Sequence, residues 1–146
     1  MTSDLKDILD FLNQQKFKYV IVGGYAVMKY TEPLYTKDVD ILVEATLTNA
    51  RRLLKALTEF GVPVDNLSPT DFAKEGTMFF MGQAPNRVDF LTRVKGAKFV
   101  DIYKSSVEGK LFRSKVRFIS KDNLIKTKKA AGRPQDKLDP KNLKNF

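Results

Sequence analysis

The chain has 146 residues, 42% hydrophobic and 29% charged, with 26 Lys plus Arg against 17 Asp plus Glu and a formal net charge of +9. It contains no histidine and no cysteine, which excludes Ser-His-Asp and Cys-His catalysis, thiolate nucleophiles, disulfides and zinc sites of nitrogen and sulfur ligands. Chemistry is left to oxygen ligands, lysine, arginine and hard cations such as magnesium.

Leu5, Ile8, Leu9 and Leu12 recur at helical spacing and predict an amphipathic helix over residues 4–16. Phe17, Tyr19, Val20, Ile21 and Val22 form a β-branched and aromatic run that stops at Gly23-Gly24, as a buried strand ending in a tight turn does. Residues 25–30 then read as a short helix closed by Pro33, and Asp38-Val39-Asp40-Ile41-Leu42-Val43 as a second strand. Thr48 is the expected N-cap of a helix carrying Leu53, Leu54, Leu57 and Phe60, which Gly61-Val62-Pro63 ends. Residues 65–75 read as loop with one helical turn, and residues 77–81 and 87–92 as strands joined by Gln83-Ala84-Pro85-Asn86. Residues 98–105 favour helix, and 116–119 form a last short strand. Ser120 caps a helix over 121–131, and Gly132-Arg133-Pro134 introduces further helix up to Leu143.

Helices interleaved with strands predict an α/β (α+β) fold, a small mixed β-sheet flanked by helices with a C-terminal helical segment. The length suits one domain, residues 1–146, with a core at 1–119 and a basic C-terminal helical segment at 120–146. No run approaches the ~20 apolar residues of a membrane span, and Met1-Thr2-Ser3-Asp4-Leu5-Lys6-Asp7 lacks the layout of a secretory signal. The expected location is cytoplasmic, with no membrane partner.

Charge is unevenly spread. Residues 1–92 carry 10 basic and 12 acidic side chains, whereas residues 93–146 carry 16 and 5. Such asymmetry fits a phosphate-rich partner, an RNA bound through residues 93–146 among them, and equally fits a solvated, solubilising surface.

Three aspartates stand on predicted strands. The period of two puts Asp38 and Asp40 on one face, roughly 6.6–7 Å apart along the strand, and Asp89 in Arg87-Val88-Asp89-Phe90-Leu91 brings a third carboxylate from another strand. Like charges on one face repel unless a cation lies beside them, which Mg²⁺ would supply. An Asp-x-Asp on a solvated strand face is the ordinary alternative. The glycine pair likewise has two readings, a tight turn or a place where backbone N–H groups approach phosphate at a helix N-terminus. Neither the P-loop nor the dinucleotide pattern is present.

In combination, Val22-Gly23-Gly24, thirteen residues (25–37) before Asp38, and the run Thr36-Lys37-Asp38-Val39-Asp40-Ile41-Leu42, followed by Val88-Asp89-Phe90-Leu91, resemble the signature of the polymerase-β-like nucleotidyltransferase superfamily. The run from Leu124 through Lys128, Lys129, Arg133 and Asp136 to Asp139 resembles the small bacterial, abortive-infection-type branch. The resemblance implies a magnesium-dependent nucleotidyltransferase that moves a nucleoside monophosphate from an NTP to an acceptor hydroxyl on RNA, protein or a small molecule. It implies a two-metal site, with Mn²⁺ as the alternative ion, held by Asp38, Asp40 and Asp89, with Asp89 also helping to deprotonate the acceptor. It places Gly23, Gly24, Thr36, Lys37, Lys128 and Arg133 on the nucleotide, and Asp136 and Asp139 as orienting acids.

Leu34 stands where many members carry an arginine, so Lys37 or Arg87 would have to replace one phosphate contact. Solvated helix faces and caps are the competing account of Lys128, Lys129, Arg133, Asp136 and Asp139, and core or rim packing that of Tyr25, Tyr30 and Tyr35. Small members often complete the acceptor site with a partner chain, which implies a homo-oligomer or heteromer. The rival expectation keeps the fold without catalysis, as a module binding nucleic acid or a partner protein in a toxin–antitoxin pair.

Overall fold

The computed structural model describes residues 2–31, 38–82 and 87–131. In chain order these form α1 (Thr2–Gln14), β1 (Tyr19–Val22), α2 (Gly23–Tyr30), β2 (Asp38–Val43), α3 (Leu47–Phe60), α4 (Pro69–Phe72), β3 (Met78–Met81), β4 (Arg87–Leu91), α5 (Phe99–Lys104), β5 (Val107–Leu111), β6 (Ser114–Phe118) and α6 (Lys121–Ala131). The strands make one mixed six-stranded sheet in the order β3-β4-β2-β1-β6-β5. β4 runs parallel to β2 and β1 to β6, and the other neighbouring pairs are antiparallel.

Alternation along the central strands sorts the side chains. Val39, Ile41 and Val43 of β2 lie with Val88 and Phe90 of β4 on one face, all but fully buried. Helices α1, α2 and α4 cover that face. Ser114 donates a 2.6 Å hydrogen bond to Asp10 of α1, the Lys29 ammonium of α2 lies 5.0 Å from the Phe118 ring, and Phe72 of α4 meets Phe79 edge-on. Helix α3 packs on α1, with Phe11 and Phe60 edge to face at 5.8 Å. Asp38, Asp40 and Leu42 of β2 lie with Arg87, Asp89 and Leu91 of β4 on the other face, which α5 and α6 cover only in part.

Several boundaries moved. The N-cap of α3 is Thr46, not Thr48: its extended backbone lets Oγ1 accept from the Asn49 amide at 3.2 Å, and Thr48 falls inside the helix. Helix α2 starts at the glycine pair itself. The single turn expected within 65–75 is α4, held by a capping box between Ser68 and Asp71. The C-terminal strand is one arm of an unforeseen β5–β6 hairpin, whose turn residues Phe112 and Arg113 have φ of +50° and +68°. A two-residue turn of that hand usually announces itself with Asn or Gly, and this one does not. The connection at 83–86 and the helical stretch expected after 131 lie outside the described residues. Among the described residues no helix is long and apolar enough to cross a membrane.

Candidate active site

The parallel register of β2 and β4 sets Asp38 beside Arg87 and Asp40 beside Asp89 on the same face. Asp89 is only 7% exposed. The Arg87 guanidinium grips it with two hydrogen bonds, Nε donating to Oδ1 at 2.7 Å and Nη2 to Oδ2 at 3.4 Å. The same Nε lies 3.9 Å from Asp38 Oδ1. Burial, followed by the charges of Asp89 and Asp38, pushes the Asp40 carboxyl up to about 7, against a weaker opposing pull from Lys128.

Gly23 closes the site from the β1 side. Its φ is +69°, and a Cβ there would lie 2.1 Å from Asp40 Oδ2. Glycine is therefore required twice, by backbone conformation and by the carboxylate packed on its Cα. Gly24 follows in the first turn of α2, where backbone N–H groups have no intrahelical partner. Beside them opens a cleft of about 180 Å³ whose lining includes Gly23, Asp40, Lys95, Thr127 and Lys128. Glycine again makes the cleft compact: a Cβ at Gly96 would come within 2.7 Å of the Ala130 side chain, so the turn after β4 lies directly against α6.

The family profile of the aminoglycoside-2″-adenylyltransferases matches residues 4–143. The chain belongs to that family. The nucleotidyltransferase superfamily inferred from the glycine pair and the aspartates is thereby borne out, and the chain is a member of a family of nucleotidyltransferase enzymes. The match does not single out the abortive-infection-type branch. The fold is similar to that in the crystal structure of the lincosamide antibiotic adenylyltransferase LnuA with lincomycin bound, with a TM-score of 0.56, 18% identity, and coverage of 97% of this chain and 95% of that one. No curated protein matches in sequence. Neither the family nor the structural relative bears on a toxin–antitoxin pair or an RNA acceptor.

Within this family member, the residues singled out in the sequence divide three ways. Asp38, Asp40, Asp89, Gly23, Gly24 and Lys128 gather at one end of the sheet. Thr36, Lys37 and Arg133, with Leu34, Tyr35, Asp136 and Asp139, lie outside the described residues. Tyr25 and Tyr30 pack: Tyr25 meets Phe112 edge-on at 5.5 Å, and the Tyr30 hydroxyl donates to the Ile119 carbonyl at 2.7 Å. Sequence reasoning missed Lys95, which follows a strand by four residues with no motif to mark it. It also undervalued Arg87, whose spacing of two from Asp89 already placed both on one face.

The aspartates fit a hard divalent cation by donor chemistry. Three carboxylates share a face, and burial, followed by the charges of Asp89 and Asp38, raises the Asp40 carboxyl to about 7. As placed, no group of three or more acidic side chains among the described residues could hold one ion. The Arg87 guanidinium lies on Asp89 and 3.9 Å from Asp38.

Proposed function

We propose that the chain transfers the adenylyl group of ATP to a hydroxyl of a small antibiotic-like acceptor, with Mg²⁺ held by Asp38, Asp40 and Asp89. The observation that carries the reading is the pairing of Asp40 with Asp89 on one sheet face, directly against Gly23 and beside a lysine-lined cleft. The antibiotic adenylyltransferases to which the chain is similar support the acceptor class.

In the reaction the acceptor oxygen bonds to the α-phosphorus, the bond from that phosphorus to the oxygen bridging to the β-phosphate breaks, and pyrophosphate leaves. The Gly23 and Gly24 amides at the α2 N-terminus bind phosphate oxygens, favoured by the helix dipole and unobstructed by side chains. Lys128 and Lys95 balance the triphosphate charge from across the cleft. Asp89, oriented by the two hydrogen bonds from Arg87, takes the proton of the acceptor hydroxyl. A divalent ion held by Asp38, Asp40 and Asp89 would supply charge stabilisation and acidify the attacking hydroxyl. Thr36, Lys37 and Arg133 remain proposed nucleotide contacts through their places in the motif.

ATP binding measured by calorimetry with and without Mg²⁺, for the native chain and for Asp38→Asn with Asp40→Asn, tests the reading. Binding that depends on the ion and is lost in the variant supports it. Binding indifferent to both ion and substitution refutes it.

A further inference from the structure

β1 meets Asp40 at its last residue, Val22, so its start lies at the far end of the sheet from the aspartates. There β1 and β6 part. They pair at a single register position, Ile21 with Phe118, and the Ile119 amide donates to the Ile21 carbonyl at 3.0 Å. Toward the starts of both strands a cleft of about 380 Å³ opens, with Phe17, Tyr19 and Tyr103 in its walls. Those walls are braced from several elements. Asn13 of α1 accepts a 2.9 Å hydrogen bond from the Tyr19 hydroxyl and donates one of 2.8 Å to the Lys115 carbonyl, so a side chain spans the gap where strand pairing has stopped. Phe17 stacks on Tyr19 at 5.7 Å. On the α5 side the Arg117 guanidinium lies 5.6 Å from the centre of the Tyr103 ring and donates to the Ser106 hydroxyl at 2.6 Å and the Ser106 carbonyl at 2.9 Å.

Most charges around the cleft are matched. Arg117 lies 3.6 Å from Glu108, its partner across the β5–β6 hairpin, and Lys18, 6.0 Å from the Tyr103 ring, lies 3.9 Å from Glu44. Lys115 is the exception: it lines the cleft directly opposite Lys110, and among the described residues neither ammonium has an acidic partner. Like charges directly opposite on a hairpin repel. We propose that the cleft is a second ligand site, separate from the nucleotide cleft, for a flat aromatic molecule carrying one carboxylate. Its ring displaces water from between aromatic walls that their hydrogen bonds hold apart, so the gap does not close by repacking. Its carboxylate accepts from the Lys115 ammonium and offsets the repulsion from Lys110. The volume falls within the roughly 300–1,000 Å³ of small-molecule sites. The inference is independent of the transfer chemistry, since none of these residues lies at the aspartates.

The test titrates 2-naphthoate into the full chain by calorimetry, with uncharged 2-naphthamide and cationic 2-(aminomethyl)naphthalene as probes of the same ring. The expected result is one site for 2-naphthoate, about tenfold tighter than for 2-naphthamide, with the cation weaker again. Lys115→Gln should weaken 2-naphthoate about tenfold and leave 2-naphthamide unchanged, while Tyr103→Ala should weaken both about tenfold. Lys55→Gln, the same change of charge on the exposed side of α3, should leave all three unchanged. Saturating Mg²⁺ and ATP should not alter the Kd for 2-naphthoate. Lys115 is exposed and Tyr103 half-buried, and a melting curve checks that the variants fold.

Equal affinity for the three probes, or no binding of 2-naphthoate at about 5 mM, overturns the proposal. So does 2-naphthoate binding indifferent to both Lys115→Gln and Tyr103→Ala. Displacement of 2-naphthoate by Mg²⁺ and ATP overturns it as well, because the ring would then sit in the nucleotide cleft. Binding that depends on Lys115 and Tyr103 in a chain that binds no ATP would uphold this site and overturn the nucleotidyltransfer reading.

Discussion

Replacing Asp40 with Asn should stabilise the ion-free protein at pH 8 while abolishing transfer. In the fold, burial and the neighbouring Asp89 and Asp38 raise the Asp40 carboxyl from 3.8 to about 7. The folded chain therefore holds this proton more tightly than the unfolded chain. Between about pH 4 and pH 7 the native state binds the greater number of protons, so stability falls as pH rises through that window. The contribution is fully present below the ordinary carboxylate value and gone above about pH 7. A rise of about 3 units at 1.36 kcal/mol each sets an upper bound of about 4 kcal/mol, and screening by water in the open cleft brings it to about 2 kcal/mol.

Asparagine keeps a hydrogen-bond donor toward Asp89 and removes the charge. Melting in EDTA should then give nearly equal Tm values for the two proteins at pH 4, and a variant more stable by about 5–10 °C at pH 8, taking about 4 °C per kcal/mol for a chain of this size. Adding Mg²⁺ at pH 8 should raise the native Tm and narrow the gap. A variant less stable than the native chain at pH 8, or a gap identical at the two pH values, would refute the account of Asp40.

Gly23→Ala should lower kcat by at least roughly a hundredfold, because its Cβ would meet Asp40 Oδ2 at 2.1 Å and its φ is +69°. The control is Gly61→Ala, which has positive φ but open space around the Cβ and should cost about 1 kcal/mol in urea denaturation with kcat intact. Asn49, 1% exposed, accepts from the Lys18 amide and donates to the Lys18 and Glu44 carbonyls. Asn49→Ala should cost about 3 kcal/mol in the same denaturation assay, with the KM for ATP unchanged in the folded fraction. Lys128→Ala should raise the KM for ATP about tenfold and move the acid limb of the pH–rate profile upward, since Lys128 holds the Asp40 carboxyl down. An unmoved limb would separate Lys128 from Asp40.

The strand-borne aspartates were legible because their placement depends on local geometry alone: a period of two puts Asp38 with Asp40, and Arg87 with Asp89, whatever the strands pair with. The Gly23-Gly24 turn was legible for the same reason, although the sequence could not reveal that Gly23 must also leave room for Asp40. The β5–β6 hairpin was not legible. Its turn uses Phe112 and Arg113 at positive φ, and the packing of Phe112 on Tyr25, far away in the chain, replaces the usual turn residues. The α3 cap slipped from Thr48 to Thr46 because Asn49 is drawn inward to satisfy the Lys18 and Glu44 backbone.

By itself the sequence determined the chemistry available: a chain without histidine or cysteine, with three strand-borne carboxylates behind a glycine pair, has oxygen ligands and cations to work with. Tertiary structure alone decided which of these groups meet. The parallel pairing of β2 with β4 sets Asp40 beside Asp89 and Asp38 beside Arg87, and the antiparallel pairing of β3 adds Phe80 to the same face. The close approach of α6 to the Gly96 turn brings Lys128 and Lys95 to one cleft. Strand register and helix docking are long-range outcomes of burying one apolar face, and short-range periodicity carries no information about which strand will lie next to which.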